Sequence, residues 1–301
     1  MRCSWLVLVA LLVPGPGAAG DEPAAASFHD DPIATYERRE AHGFTVLISR
    51  RLADHPAEAA AAWGELEGQL GRVAATVPAR PLAELRKVRI WLERAETAGL
   101  GEFHWGPEPL VAAGRNPAKA RDVEITNAGH LVEWAPIQPW AVLHELAHAY
   151  HCRVLGRDHP GLRRAFDAAT RSGRYDRVAY AQGGTRRAYA LTDPPEYFAE
   201  LTEAYFGRND FEPADRAALA RFDPAGDRLM VETWGEPAPA PSRPPADPPR
   251  PGSAPAVPAR LAPDGRVDPG VARLQARADR DGDHVGRRLR AGPGREAGRG
   301  G

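Results

Sequence analysis

The sequence predicts an α+β fold in which short strands and helices follow one another without the strict alternation of a doubly wound sheet. Its 301 residues are enough for one substantial domain. Apolar periodicity, aromatic residues and turn signals occupy residues 28–235, whereas residues 236–301 are rich in Pro, Arg and Gly and contain no aromatic residue. Such a composition cannot bury enough apolar surface to offset the ordering entropy, so we expect a folded domain over 28–235 and a disordered tail over 236–301.

The elements of this domain can be predicted in order along the chain. Residues 44–48 and 88–92 are rich in β-branched and aromatic side chains and predict strands, with a helix between them over 56–73. Residues 122–126 and 131–134 predict two further short strands around a turn. Pro139 then precedes a helix over residues 140–155, and Gly156 ends it.

Two residues four apart on that helix, His144 and His148, point to a metal site. At 100° per residue their rings lie on one face, one turn apart, where both can bind one zinc ion (Zn2+). Glu145 between them is placed to act as the general base toward a metal-bound water, as the spacing His-Glu-x-x-His requires. The alternative is a helix with two solvated or core histidines, but apolar residues cover this helix almost all round. His151 lies on nearly the same face, but a straight helix cannot bring three successive turns onto one ion, so we expect it to pack behind the ligands.

A catalytic zinc ion needs a third protein ligand, and the helix predicted over 196–206 can provide it. Glu196, Glu200 and Glu203 share one face of this helix at i, i+4 and i+7. Three like charges on one face repel one another, which favours a nearby cation. The alternative is a solvated acidic stripe on an ordinary amphipathic helix.

The two helices together resemble the gluzincin peptidases of the anthrax lethal-factor type, in particular secreted bacterial proteins that carry this catalytic domain alone. The resemblance rests on His144-Glu145-Leu146-Ala147-His148 and on Glu196-Tyr197-Phe198-Ala199-Glu200, and it covers residues 130–235. It implies a zincin-like domain with a small mixed sheet, an active-site helix and a second glutamate-bearing helix. It further implies that Glu196 ligates zinc, that Glu200 supports the site and that Tyr189 stabilises the oxyanion; ordinary packing is the alternative for Tyr189.

The resemblance also implies that a peptide substrate lies along a strand just before the metal helix, for which residues 131–134 are the candidate; an interior strand is the alternative. A second arrangement, of the aspzincin type, would use Asp193 as the ligand and draws only on Gly184 and Thr185. The predicted function is a zinc metallopeptidase that hydrolyses peptide bonds of a peptide or protein substrate. A catalytically inactive zincin-fold zinc-binding protein of the cell envelope is the alternative.

The N-terminus predicts a signal peptide over residues 1–20. Arg2 precedes an apolar run over residues 5–13, which is too short to span a bilayer, and small residues follow at 17–20. We therefore expect a secreted or periplasmic protein without a stable membrane span after cleavage. Cys3 leaves with the signal, so Cys152 has no intrachain partner and the domain is not built on disulfides.

Charge and the tail add two expectations about partners. The formal net charge is −1, which argues against nucleic acid as a partner. Asp279, Asp281 and Asp283 resemble the start of an EF-hand calcium loop over residues 279–290. Because His284 replaces the glycine and Arg290 replaces the bidentate glutamate of that loop, we expect weak calcium binding or none. The sequence does not predict an oligomeric state.

Overall fold

A computed structural model describes residues 30–94 and 99–237 of the chain. The predicted signal peptide, the calcium-loop residues 279–290 and the tail beyond residue 237 lie outside the described residues. No helix in the described ranges is both long enough and apolar enough to cross a membrane.

The described chain is a mixed α+β structure. Its strands are β1 (Glu37–Ala41), β2 (Phe44–Ile48), β3 (Ile90–Leu92), β4 (Glu102–Phe103), β5 (Val123–Ile125), β6 (Val178–Ala179) and β7 (Thr185–Arg186). Its α-helices are α1 (Pro56–Thr76), α2 (Ala79–Leu85), α3 (Pro107–Ala112), α4 (Ala128–Trp134), α5 (Ala141–Tyr150), α6 (Pro160–Ser172), α7 (Pro194–Phe206), α8 (Arg216–Phe222) and α9 (Pro224–Trp234).

Five strands form one sheet in the order β1-β2-β3-β5-β4. The three central strands are parallel, and the edge strands β1 and β4 each pair antiparallel with their neighbour. Strand β3 is buried throughout, as expected for a strand covered on both faces. Strands β6 and β7 form a separate two-stranded hairpin before α7.

Most predicted elements have their counterparts in this structure. The strands at 44–48, 88–92 and 122–126 appear as β2, β3 and β5, and the helix at 56–73 appears as α1. The predicted helix at 140–155 begins as α5 and continues as a π-helical turn over His151–Leu155, which Gly156 ends at φ +82°. The second glutamate-bearing helix is α7, whose first residue is Pro194.

The strand predicted at residues 131–134 is wrong, because these residues lie in helix α4. The side chain of Asn127 accepts a hydrogen bond from the backbone of His130 and so caps the helix N-terminus. The buried residues of α4 are Ala128 and Leu131, three positions apart as on one helix face. The local cap and the helical burial pattern thus outweigh the strand propensity of Val132 and Trp134.

Helices α5 and α7 lie in the centre of the hydrophobic core. Eight of the ten residues of α5 are buried, and the two that remain partly exposed are His144 and Glu145. Every residue of α7 from Tyr197 to Phe206 is buried. Trp234 at the end of α9 stacks on Phe198, with ring centroids 5.6 Å apart. The core therefore fixes both helices and leaves one face of α5 open.

Candidate metal centre

The open face of α5 meets the first turn of α7. The ligand atoms of His144, His148 and Glu196 all lie within 4.8 Å of one another. Glu196 Oε2 is 3.0 Å from His144 Nε2 and 3.4 Å from His148 Nε2. The structure thus brings the two histidines of α5 and the first glutamate of α7 to one point.

The separations of these atoms fit a zinc ion. Zinc binds imidazole nitrogen and carboxylate oxygen at about 2.0–2.2 Å, so two ligand atoms at a tetrahedral angle lie about 3.3–3.5 Å apart. The distances of 3.0 and 3.4 Å require only small adjustments to reach that value. Two imidazoles and one carboxylate leave a fourth position for water or substrate, as catalytic zinc sites need.

The ring of His144 is held from both of its nitrogens by α7. Nε2 faces Glu196, and Nδ1 donates a hydrogen bond to Glu203 Oε1 at 2.7 Å. Burial disfavours the charged ring, but the hydrogen bonds to Glu196 and Glu203 outweigh burial and raise the pKa of His144 well above its usual value. Zinc at this site would displace the proton that His144 Nε2 shares with Glu196.

The carboxylate that bonds to His144 Nδ1 is Glu203, whereas the resemblance assigns the supporting role to Glu200. The expected residue, Glu200, lies 3.8 Å from His144 Nδ1 and accepts a hydrogen bond from the side chain of Asn209. The hydrogen bond to His144 belongs to Glu203, one turn further along α7. Burial, together with the neighbouring charges of Asp210 and Glu203, raises the pKa of Glu200 well above its usual value. Glu200 is therefore a buried member of an acidic cluster behind the ligands.

Two other groups of side chains have ligand atoms close enough to hold a metal. One consists of His144, Glu200 and Glu203, and it shares His144 with the site above while lying deeper in the protein. The other consists of Glu102, His104 and Glu124. Cations of the protein already fill the second group: Lys119 Nζ lies 2.9 Å from Glu124, and Arg115 contacts both Glu102 and Glu124.

Glu145 points into the same open cleft, which has a volume of about 510 Å³. Burial raises the pKa of Glu145, and the charges of His148 and His144 oppose this rise. A carboxylate with a raised pKa is a stronger base than an exposed one, which suits proton abstraction from water.

Tyr189 also lines this cleft. Its ring centroid is 6.5 Å from that of His144. Burial and the charge of Glu196 raise the pKa of the Tyr189 hydroxyl, so the group remains a hydrogen-bond donor at neutral pH. The structure therefore places the predicted oxyanion donor beside the predicted ligands.

Asp193 has a structural task in this arrangement. Its side chain accepts a hydrogen bond from the backbone of Glu196 at 2.9 Å and caps the N-terminus of α7. None of the groups whose ligand atoms converge in the described chain includes Asp193. The aspzincin arrangement thus has no geometric support.

Strand β4, at one edge of the sheet, lines the cleft with Glu102 and Phe103. The sequence did not predict this strand. Gly101 precedes it, and a Cβ atom there would lie 2.9 Å from the carbonyl oxygen of Glu124 and 3.7 Å from Glu145 Cγ. Only glycine lets the backbone come this close to the carbonyl of Glu124, while the distance to Glu145 is an ordinary van der Waals contact. A two-residue strand carries no periodicity, so only this glycine could have signalled it.

Residues behind the ligands complete the site. His151 is fully buried, and neither of its ring nitrogens has a hydrogen-bond partner in the described ranges. Its ring packs edge-on against Trp105 at 5.4 Å and near Phe198 at 5.9 Å. Burial lowers the pKa of His151 to about 4, so the ring is neutral and apolar in effect. His151 packs behind the ligands and takes no part in their convergence.

No protein-family model, curated protein or solved structure matches this chain.

Proposed function

We propose that this protein is a zinc-dependent metallopeptidase of the gluzincin type. The observation that supports the proposal most strongly is the convergence of His144, His148 and Glu196 beside Glu145 in an open cleft. Burying two histidines and a glutamate together is costly unless a cation or a proton compensates their charge. The ligand separations suit zinc, and a position next to Glu145 remains open to water.

Zinc bound at this site would lower the pKa of a water molecule and polarise the scissile carbonyl. Glu145 takes the proton from the attacking water and passes it to the departing amine, so it acts first as base and then as acid. Tyr189, whose hydroxyl stays protonated, donates a hydrogen bond to the developing oxyanion. Glu203 keeps His144 in the orientation in which Nε2 faces the metal position.

In this proposal an extended peptide lies along β4, an edge strand of the five-stranded sheet in the described ranges. A peptide there would add one more strand to the edge, with backbone hydrogen bonds providing affinity. We retain the expectation of a secreted or periplasmic location and of a peptide or protein as substrate. A zinc-binding protein of the cell envelope without peptidase activity is the competing proposal, and catalysis separates the two.

The test compares the full chain with its Glu145→Ala and Glu196→Ala variants. Zinc content is measured by elemental analysis, and cleavage of a peptide library is followed by mass spectrometry. We expect one zinc ion and cleavage for the unaltered protein, zinc without cleavage for Glu145→Ala, and loss of zinc for Glu196→Ala. Zinc without cleavage in the unaltered protein would favour the competing proposal, and absence of zinc from it would overturn both.

A further inference from the structure

One arginine stands apart among the residues that line the cleft. Five glutamates and one aspartate line it, and Arg157 is its single lysine or arginine among the described residues. Apart from the candidate metal position and its histidines, Arg157 is therefore the place in the described cleft where a positive side chain can attract a carboxylate.

Arg157 has no ion pair within the described chain, whereas the acidic residues nearest the mouth already have partners. Glu102 on β4 pairs with Arg115, and Asp193 caps α7. Arg157 is exposed, follows the turn at Gly156 and appears in none of the ion pairs of the described residues. Its guanidinium thus keeps its hydrogen-bond donors available to a ligand.

An aromatic side chain lies beside this guanidinium. Arg157 Cζ lies 5.2 Å from the ring centroid of Trp105, which is within the range of a cation–π contact. Trp105 in turn lies next to the ligand His148, with ring centroids 6.4 Å apart, and edge-on to Phe103 of β4. Arg157 therefore lies against Trp105, and Trp105 contacts both the metal helix and the strand along which we place the peptide.

We propose that Trp105 and Arg157 form a subsite for a carboxylate of the substrate, so that the enzyme selects peptides with a negative charge at one position. The inference rests on the proposed function and adds a substrate class to it. The indole would pack against the aliphatic part of the residue, and the planar guanidinium would bind the carboxylate through two parallel hydrogen bonds. Either a glutamate side chain or the free C-terminus of a peptide offers this carboxylate.

The test measures binding and cleavage separately. Fluorescently labelled peptides with an amidated C-terminus carry Glu, Gln or Lys at each position in turn, and a parallel set has a free C-terminus. Binding to the full-length zinc-loaded Glu145→Ala protein is followed by fluorescence anisotropy, and cleavage by the unaltered protein gives kcat/KM.

We expect one position at which Glu binds at least about 10-fold more tightly than Gln, which corresponds to about 1.4 kcal/mol. Combining Arg157→Ala with Glu145→Ala should abolish this preference. Combining Arg157→Glu with Glu145→Ala should instead make Lys bind more tightly than Gln at that position. Arg153→Ala removes an exposed arginine from the preceding π-helical turn, outside the lining of the cleft, and should leave the preference intact. A preference that follows amidation instead of the Glu position would identify the C-terminal carboxylate as the ligand.

Equal binding of all charged and neutral peptides, or a preference that survives Arg157→Ala, would overturn the subsite. This readout does not depend on catalysis. A protein that discriminates the peptides but cleaves none would contradict the peptidase and support the subsite, whereas a protein that cleaves without discrimination would do the reverse.

Discussion

The imidazole of His144 is the residue on which the candidate centre depends most directly. Helix α7 contacts both of its nitrogens, through Glu196 at 3.0 Å and Glu203 at 2.7 Å. Carboxylates that accept a hydrogen bond from a ligating histidine fix its tautomer and make it a better ligand. The geometry therefore gives Glu203 the supporting role.

Replacing Glu203 tests this role at the scale of one hydrogen bond. We expect Glu203→Ala to weaken zinc binding by about 10- to 100-fold, because His144 loses the partner that orients it. Zinc affinity is measured by competition with a chelator of known affinity. Glu200→Ala is the matched control and should cause a smaller loss, since Glu200 lies 3.8 Å from the ring. A larger loss for Glu200→Ala would return the supporting role to Glu200.

Sequence spacing indicated which side chains converge, but not which glutamate accepts the hydrogen bond from His144. The four-residue spacing of His144 and His148 and the adjacent Glu145 are local properties of a helix, and the sequence displays them directly. Glu200 and Glu203 both lie on the face of Glu196, and the choice between them depends on how α7 lies against α5. The packing of α7 against α5 is tertiary structure, which the spacing of residues in the sequence does not reveal.

The end of α7 shows how closely one element is fitted to its neighbours. A Cβ atom on Gly207, the residue after α7, would lie 1.9 Å from the indole of Trp140, the residue before α5. The glycine therefore sets the distance between the end of α7 and the start of α5.

Substitution of this glycine should loosen the junction of the two helices. We expect Gly207→Ala to lower the free energy of unfolding by about 1–3 kcal/mol, because the indole must move out of a packed core. Gly64→Ala is the control: Gly64 lies within α1 with no atom near its added Cβ, so alanine there should raise stability by up to about 1 kcal/mol. Urea unfolding gives the free energy of unfolding of both variants. Equal changes in this free energy would contradict the close fit of Gly207 against Trp140.

Elements differed in how far the sequence could predict them. Helix α1 repeats its apolar pattern over 21 residues, so its type was evident. Residues 131–134 form only a short apolar stretch, which is compatible with a strand or a helix. The N-cap at Asn127 stabilises the helix that the structure shows. Strand β4 has two residues and exists because β5 pairs with it, a contact that sequence periodicity does not encode.

At the scale of the whole molecule, a buried ionic cluster joins the sheet to its surroundings. Lys119 is fully buried and lies 2.7 Å from Glu93 and 2.9 Å from Glu124. Burial alone would raise the pKa of Glu124, but His104, Lys119 and Arg115 outweigh it and lower that pKa to about 2. The cluster thus depends on Glu124 remaining ionised.

This dependence predicts acid sensitivity. The folded-state pKa of Glu124 is depressed, so its stabilisation is complete above its usual pKa of 4.5 and is lost as the pH falls from there through about 2. The loss should be on the order of 3 kcal/mol, and urea unfolding at several pH values with a chelator present measures it. Glu124→Gln should flatten the dependence in this window, whereas Glu133→Gln, at an exposed carboxylate, should not. An unchanged slope in Glu124→Gln would contradict the assignment.

The placement of the candidate ligands on two separate helices has a mechanical consequence. His144 and Glu196 are 52 residues apart in the chain. With an ion bound between them, force applied to the two chain ends would not extend the residues between these ligands. The extended length of that span is about 180 Å at roughly 3.3–3.6 Å per residue. In a single-molecule stretching experiment, the unfolded length of the metal-bound protein would be shorter by this span. The span would extend in one step when the bonds of the ion to α5 or α7 break.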